Sequence, residues 1–133
     1  PDSSGSLKTF IGRINRIRKQ HPALQSDYSL RFHGTDNASL ICYSKATEGL
    51  SDIILVIVNL DYVRAQNGWI NLDLNSLGID PAHAFQVHDL LGDGRYLWQG
   101  ARNYVELLPE SLPAHILHVR PWVRRETDFD YYL

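Results

Sequence analysis

The run Ile53-Ile54-Leu55-Val56-Ile57-Val58-Asn59-Leu60-Asp61 constrains the fold more than any other stretch of the chain. It is apolar in both phases, rich in β-branched residues and bounded by Ser51-Asp52 and Asp61, the pattern of a central strand buried on both faces. Successive side chains on a strand point to opposite sides. Ile53, Leu55 and Ile57 therefore need one cover, while Ile54, Val56, Val58 and Leu60 need another. A second layer of sheet supplies one; a helix or a further domain must supply the other. Asn59, the first polar residue of the run, marks where the strand emerges.

A helix candidate stands upstream. After the polar leader 1–5, with Ser6 as its N-cap, Leu7, Phe10, Ile11, Ile14 and Ile17 recur at three- and four-residue steps, an amphipathic stripe that Pro22 terminates. Arg13, Arg16 and Lys19 occupy the opposite face, which reads as solvated. No second helix of comparable length follows. Leu30 and Phe32 alternate with Arg31 and His33, residues 35–38 form a turn, and 40–44 return as a hairpin. Ile70, Leu72 and Leu74 alternate with Trp69, Asn71 and Asp73, leaving Trp69 on the polar phase. Phe85 to Leu90 and Arg95 to Trp98 flank Gly92-Asp93-Gly94, a turn sequence whose residues tolerate positive φ. Strands at 104–108 and 114–120 complete the set. The expected fold is mainly β: an antiparallel β-sandwich of seven or eight strands preceded by one amphipathic α-helix.

Composition narrows the function. The chain has 133 residues, a length for one domain, with a formal charge of −2, six histidines, one cysteine and no methionine. Near-neutral charge argues against nucleic acid or an anionic membrane as partner. Cys42, in the strand-like Leu40-Ile41-Cys42-Tyr43, fits a buried structural thiol. Nothing has the form of a signal peptide or transmembrane span, which fits a cytoplasmic protein. Without a methionine, the chain is expected to be a piece of something longer.

No local constellation carries chemistry. His115 and His118 lie three apart, so a strand sends them to opposite faces and defeats chelation; no metal is expected. His88-Asp89 has no serine or cysteine motif to complete a triad. Asp61, Asp89 and Glu106 form a carboxylate pair only if folding happens to join them. No glycine-rich phosphate loop opens a helix, and no cofactor is expected. Four aromatic residues, Trp69, Tyr96, Trp98 and Tyr104, are sugar-contact candidates, because flat rings suit the CH-rich face of a pyranose. Against that stands a purely structural use of the rings in the core or against another domain.

The segment Arg13-Ile14-Asn15-Arg16-Ile17-Arg18-Lys19-Gln20-His21-Pro22-Ala23-Leu24 resembles the last barrel helix and exit linker of the α-amylase clan of glycoside hydrolases. Ile54 to Asp61, Gln66-Asn67-Gly68-Trp69, Gln86-Val87-His88-Asp89-Leu90-Leu91, Arg95-Tyr96-Leu97-Trp98, Asn103-Tyr104-Val105-Glu106-Leu107, Pro113-Ala114-His115-Ile116 and the tail Asp128-Phe129-Asp130-Tyr131 narrow the resemblance. They are similar to the C-terminal part of the α-1,4-glucan maltosyltransferases that use maltose 1-phosphate, with trehalose synthases and other clan hydrolases as alternatives. The resemblance implies that 1–25 is a leader and last helix of a missing (β/α)8 barrel, 26–120 a C-terminal β-sandwich, and 121–133 a tail. Retaining chemistry in that clan needs two carboxylates about 5–5.5 Å apart, borne by barrel strands that would precede this chain. None of its catalytic residues can be carried over, so the resemblance implies a non-catalytic accessory domain. Its partners would be the catalytic barrel and, weakly or indirectly, α-glucan. An independent carbohydrate-binding module is the competing reading. Maltooligosaccharide binding is expected to be weak or undetectable, and any binding to depend on Trp98 or Trp69.

Overall fold

The computed structural model describes residues 3–25, 29–61, 63–107 and 114–121. The expected tail, the loop 109–113 and the side chains of Leu7 and Phe10 lie outside the described residues. One helix, α1 (Ser3–Gln20), is followed by a 3-10 turn at Pro22–Gln25. The strands are β1 (Arg31–Thr35), β2 (Leu40–Ala46), β3 (Ile53–Asn59), β4 (Gln66–Asn71), β5 (Ala84–Asp89), β6 (Arg95–Gln99), β7 (Arg102–Leu107) and β8 (Ala114–Arg120). All pairings are antiparallel, and the strand order is β6-β5-β8-β3-β2-β1-β4-β7.

The two expected layers are one sheet folded over itself. β1 is the corner: Arg31, Phe32 and His33 pair with β2, then Gly34 and Thr35 pair with β4. A strand that changes partner in this way turns a sheet through a sandwich edge. The fold brings its two end strands, β6 and β7, near one another without pairing them. The sheet is nearly closed, with a seam.

β3 lies at the centre, and both of its faces are covered. Ile53, Leu55 and Ile57 enter the main core with Leu40, Cys42, Ile70, Phe85, Val87, Val105, Leu107, Leu117 and Val119. Ile54 and Val56 enter a second core with Ile17, Ala23, Leu91 and Ile116, against which Ile14, Leu24 and Val58 pack. The helix end and the turn after it are thus the second cover. Ile17 is buried, but Ile11, nearly two helical turns earlier, is 49% exposed. Of the stripe's described side chains, Ile14 and Ile17 belong to this second core.

The termination of α1 has its own chemistry. Pro22 cannot continue the ladder, and the Gln25 side chain donates to the carbonyls of Arg18 and Lys19 at 3.1 and 3.4 Å, two of the orphan acceptors of a helix end. Arg18 and Lys19 in the last turn also suit the helix dipole. Asn59 ends β3 as expected, yet it is buried. Its Nδ2 donates to the Arg64 carbonyl at 3.0 Å and its Oδ1 accepts from the Asp61 N–H at 2.8 Å, which pins the following loop.

β1 runs counter to its hydropathy. Phe32 is 67% exposed, whereas His33 is buried. The Asp73 N–H donates to His33 Nδ1 at 3.1 Å, so Nε2 carries the proton and donates to Ser44 Oγ at 2.8 Å. Both ring nitrogens are satisfied, and an imidazole in that state is tolerated where a phenyl ring would have been expected. Phe32 packs instead on the outside against Tyr43, ring centroids 5.9 Å apart. Exchanging Phe32 for alanine is expected to change stability by no more than about 0.5 kcal/mol in urea denaturation, as for other surface changes.

Candidate functional site

The seam between β6 and β7 holds a cavity of about 210 Å³. Its origin is topological. Gly100, at φ +81°, links β6 to β7 in a turn too short for the chain to travel far, yet the two strands belong to opposite ends of the sheet. They meet at the turn and do not pair beyond it. Tyr96 and Trp98 from β6, Tyr104, Val105 and Glu106 from β7, His115 and Leu117 from β8, and Asp89 from β5 line the opening.

Register explains the aromatic wall. Tyr96 and Trp98 stand opposite Val87 and Phe85, which are core residues, so both rings point to the inner side of the sheet. At an edge strand that side is only half closed. Trp98 is anchored by an edge-to-face contact with Phe85 at 6.2 Å, and Tyr96 is 54% exposed. Tyr104 comes from the outer phase of β7 and contacts Trp69, its cross-strand partner, at 5.6 Å between centroids. Of the four aromatic candidates, three share the cavity. Trp69 stands on the adjoining outer face.

Trp69 is 40% exposed, as its place on the polar phase implies. Its ring is covered on one side by the Arg102 guanidinium, 4.9 Å from the centroid, a cation–π contact. Its backbone N–H donates to Asp36 Oδ1 at 2.8 Å.

The polar end of the cavity is an ion pair. His115 Nδ1 lies 3.3 Å from Asp89 Oδ2, and its Nε2 contacts the Glu106 carbonyl at 3.1 Å. The Nδ1 approach falls outside hydrogen-bond alignment, so the contact is chiefly electrostatic. The Asp89 carboxylate, together with the Glu106 oxygen, holds the His115 imidazole above its ordinary value against the opposing effect of burial. Burial pushes the Asp89 carboxyl up, but His115 and the N–H groups of Gly92 and Leu91 outweigh it and leave the group below the usual carboxylate range. Gly92 is required there, since a Cβ would lie 2.8 Å from Asp89 Oδ2. Asp89 and Glu106 do share the cavity, but a glycosidase acid needs a raised pKa. Asp89 is shifted the opposite way.

A second cluster lies on the other face of β8, where sequence spacing gave no hint of it. Asp52 Oδ1 is 3.0 Å from His21 Nδ1 and 3.3 Å from His118 Nε2, while Oδ2 accepts the Ala23 N–H at 3.0 Å. The two imidazoles meet edge to face at 4.8 Å. His115 and His118 do point to opposite faces, but each finds its own aspartate. His21, Asp52 and His118 offer ligand atoms within 4.8 Å of one another and are residue types that bind zinc. Both carboxylate oxygens already serve protein donors, so the group is complete as a polar staple between the helix exit and the sheet. His88 turns to Asp93, at 2.9 Å, rather than to its neighbour Asp89. Cys42 is buried, and burial pushes its thiol up to about 12, far from a nucleophile's range.

These environments predict opposite titrations. Burial, reinforced by His21, holds His118 below 6.5; burial does the same to His33. A depressed histidine contributes stability that is present above the unfolded value and lost as pH falls through the folded one. His115 is raised, so its contribution is full below 6.5 and lost as pH rises through its folded value. Imidazole NMR titration is expected to place His115 above 6.5 and His118 and His33 below it, with Asp89→Asn returning His115 toward the ordinary value.

The family model of the GLGE C-terminal region matches residues 32–119. The chain belongs to the GLGE C-terminal family. Curated family relatives agree: it is 46% identical over 115 residues to an α-1,4-glucan:maltose-1-phosphate maltosyltransferase of Streptomyces coelicolor, covering 86% of this chain and 17% of that protein. Identity is 41% over 118 residues with the enzyme of the same name from Methylacidiphilum infernorum, covering 89% and 18%. With the Myxococcus xanthus enzyme it is 38% over 131 residues, covering 98% and 20%. The family region thus spans about a fifth or less of the relatives' length. A solved Anoxybacillus α-amylase has the same fold at a TM-score of 0.61 and 12% identity, over 90% of this chain and 24% of that one. Among the described residues no helix is long and apolar enough to cross a membrane.

Proposed function

We propose that the chain is the non-catalytic C-terminal domain of a cytoplasmic enzyme that extends α-1,4-glucan with maltosyl units taken from maltose 1-phosphate. The observation that carries this reading is the asymmetry of coverage: relatives of that name match 86–98% of this chain but only 17–20% of their own length. The domain's part is to brace the catalytic barrel of the same parent chain. α1 supports that role, because Ile14 and Ile17 pack toward the sheet while Ile11 is left open on the helix for a neighbour. The division at about residue 25, between barrel helix and sandwich, belongs to the same proposal.

The test is phosphate release. The 133-residue chain incubated with maltose 1-phosphate and glycogen is expected to give no more than a blank, whereas the parent enzyme turns over. Removing the segment equivalent to 26–120 from the parent is expected to abolish soluble, active enzyme. Turnover by the chain alone, or full activity without the segment, overturns the reading.

A further inference from the structure

We propose that the seam cavity is a subsite for one glucosyl residue of an α-1,4-glucan chain, with Tyr104 and Trp69 carrying the next residues across the outer face. The choice of glucan rests on the function proposed above. The site itself rests on its chemistry. A cavity of about 210 Å³ is smaller than the roughly 300–1,000 Å³ that holds a drug-sized ligand, and suits a single pyranose ring. Its lining combines the aromatic residues Tyr96, Trp98 and Tyr104 with the polar residues Asp89, Glu106 and His115. Sugar rings need this division: apolar CH faces lie against aromatic rings, and hydroxyl groups donate to carboxylates in charge-assisted hydrogen bonds. The His115 pair keeps Asp89 ionised and therefore an acceptor.

Two further observations point the same way. Gly94 has no side chain where Tyr96 lies: a Cβ there would be 2.4 Å from the Tyr96 hydroxyl, so the turn leaves room for that ring beside the cavity. The aromatic surface also continues outside. Tyr104 both lines the cavity and touches Trp69, giving a path that bends from the inner side of β6 around β7 to the outer face of β4. A curled α-1,4-linked chain can follow that bend, while a straight β-1,4-linked chain cannot keep its neighbouring rings on it.

The experiment is an NMR titration of the 133-residue chain with maltotetraose, and with cellotetraose as the control. Saturable shifts are expected at the Trp98 and Trp69 indole N–H resonances with a millimolar dissociation constant, and not with cellotetraose. Tyr96→Ala and Tyr104→Ala remove half-exposed rings, so the fold survives, as an unchanged spectrum elsewhere verifies. Each is expected to weaken binding roughly two- to tenfold, the equivalent of one aromatic contact. Gly94→Ala, which displaces Tyr96 without removing it, is expected to weaken binding in the same direction. Absence of shifts, shifts that neither tyrosine variant alters, or equal response to cellotetraose overturns the proposal. Phosphate release does not enter the titration. Failure of the accessory-domain reading would appear there, and failure of the subsite would appear here.

Discussion

Leu55→Ala is expected to lose about 3–5 kcal/mol, measured as a fall in the urea midpoint followed by circular dichroism. Leu55 is fully buried and belongs to the main core. Its strand is held by hydrogen bonds on both sides, with Leu55 opposite Ser44 on β2 and Leu117 on β8. Deleting buried leucine atoms costs their transfer free energy plus the cavity left behind, and a strand fixed on both edges cannot move in to fill it. Folded domains are stable by only about 5–15 kcal/mol, so the variant is left near the edge of folding at ambient temperature. Ile54→Ala tests the other face. It opens the layer between sheet and helix, and α1 has solvent on its far side and can settle inward. A smaller loss of about 2–4 kcal/mol is expected. If the two variants lose the same amount, the helix is as rigidly held as the sheet.

That contrast was legible in the sequence, because a doubly apolar run leaves no other reading: Ile53, Leu55 and Ile57 went to one core and Ile54 and Val56 to the other. The hairpin at Gly92-Asp93-Gly94 was equally plain, since turn chemistry is local; Asp93 does adopt φ +66°. What stayed hidden depends on distant partners. His33 enters the core only because Ser44 and Asp73 satisfy both nitrogens, and Asp73 is 40 residues away in sequence. Hydropathy alone therefore assigns β1 the wrong face. The cavity was half visible. A strand over Arg95 to Trp98 puts Tyr96 and Trp98 on one face, but their meeting with Tyr104 requires consecutive strands to sit at opposite ends of the sheet. A short turn ordinarily suggests that the strands it joins are paired. His21, Asp52 and His118 come from the helix exit, the start of β3 and the middle of β8, and no spacing rule links them.

Asp52→Ala is expected to be the second severe change, costing about 2–4 kcal/mol. The carboxylate side chain is only 12% exposed and serves three groups: the rings of His21 and His118 and the Ala23 N–H. A buried donor stripped of its partner loses roughly 1–3 kcal/mol, and Ala23 is almost wholly buried, so water does not readily replace the carboxylate. The rings are less penalised, since His118 is 26% exposed at its side chain. Asp52→Asn keeps the shape and one carbonyl acceptor, so it is expected to recover more than half of the loss. The location of the damage separates a staple from an ordinary core residue. Asp52 joins the exit of α1 to β3, and the second core holding Ile17 lies directly beside it. Hydrogen exchange is therefore expected to rise in the last turns of α1 before it rises in β5 or β7. Local opening of an element held by few contacts comes at lower free energy than global unfolding. If the alanine variant instead loses protection uniformly across all strands, the helix exit and the sheet unfold as one unit, and Asp52 is a core residue rather than the joint between them.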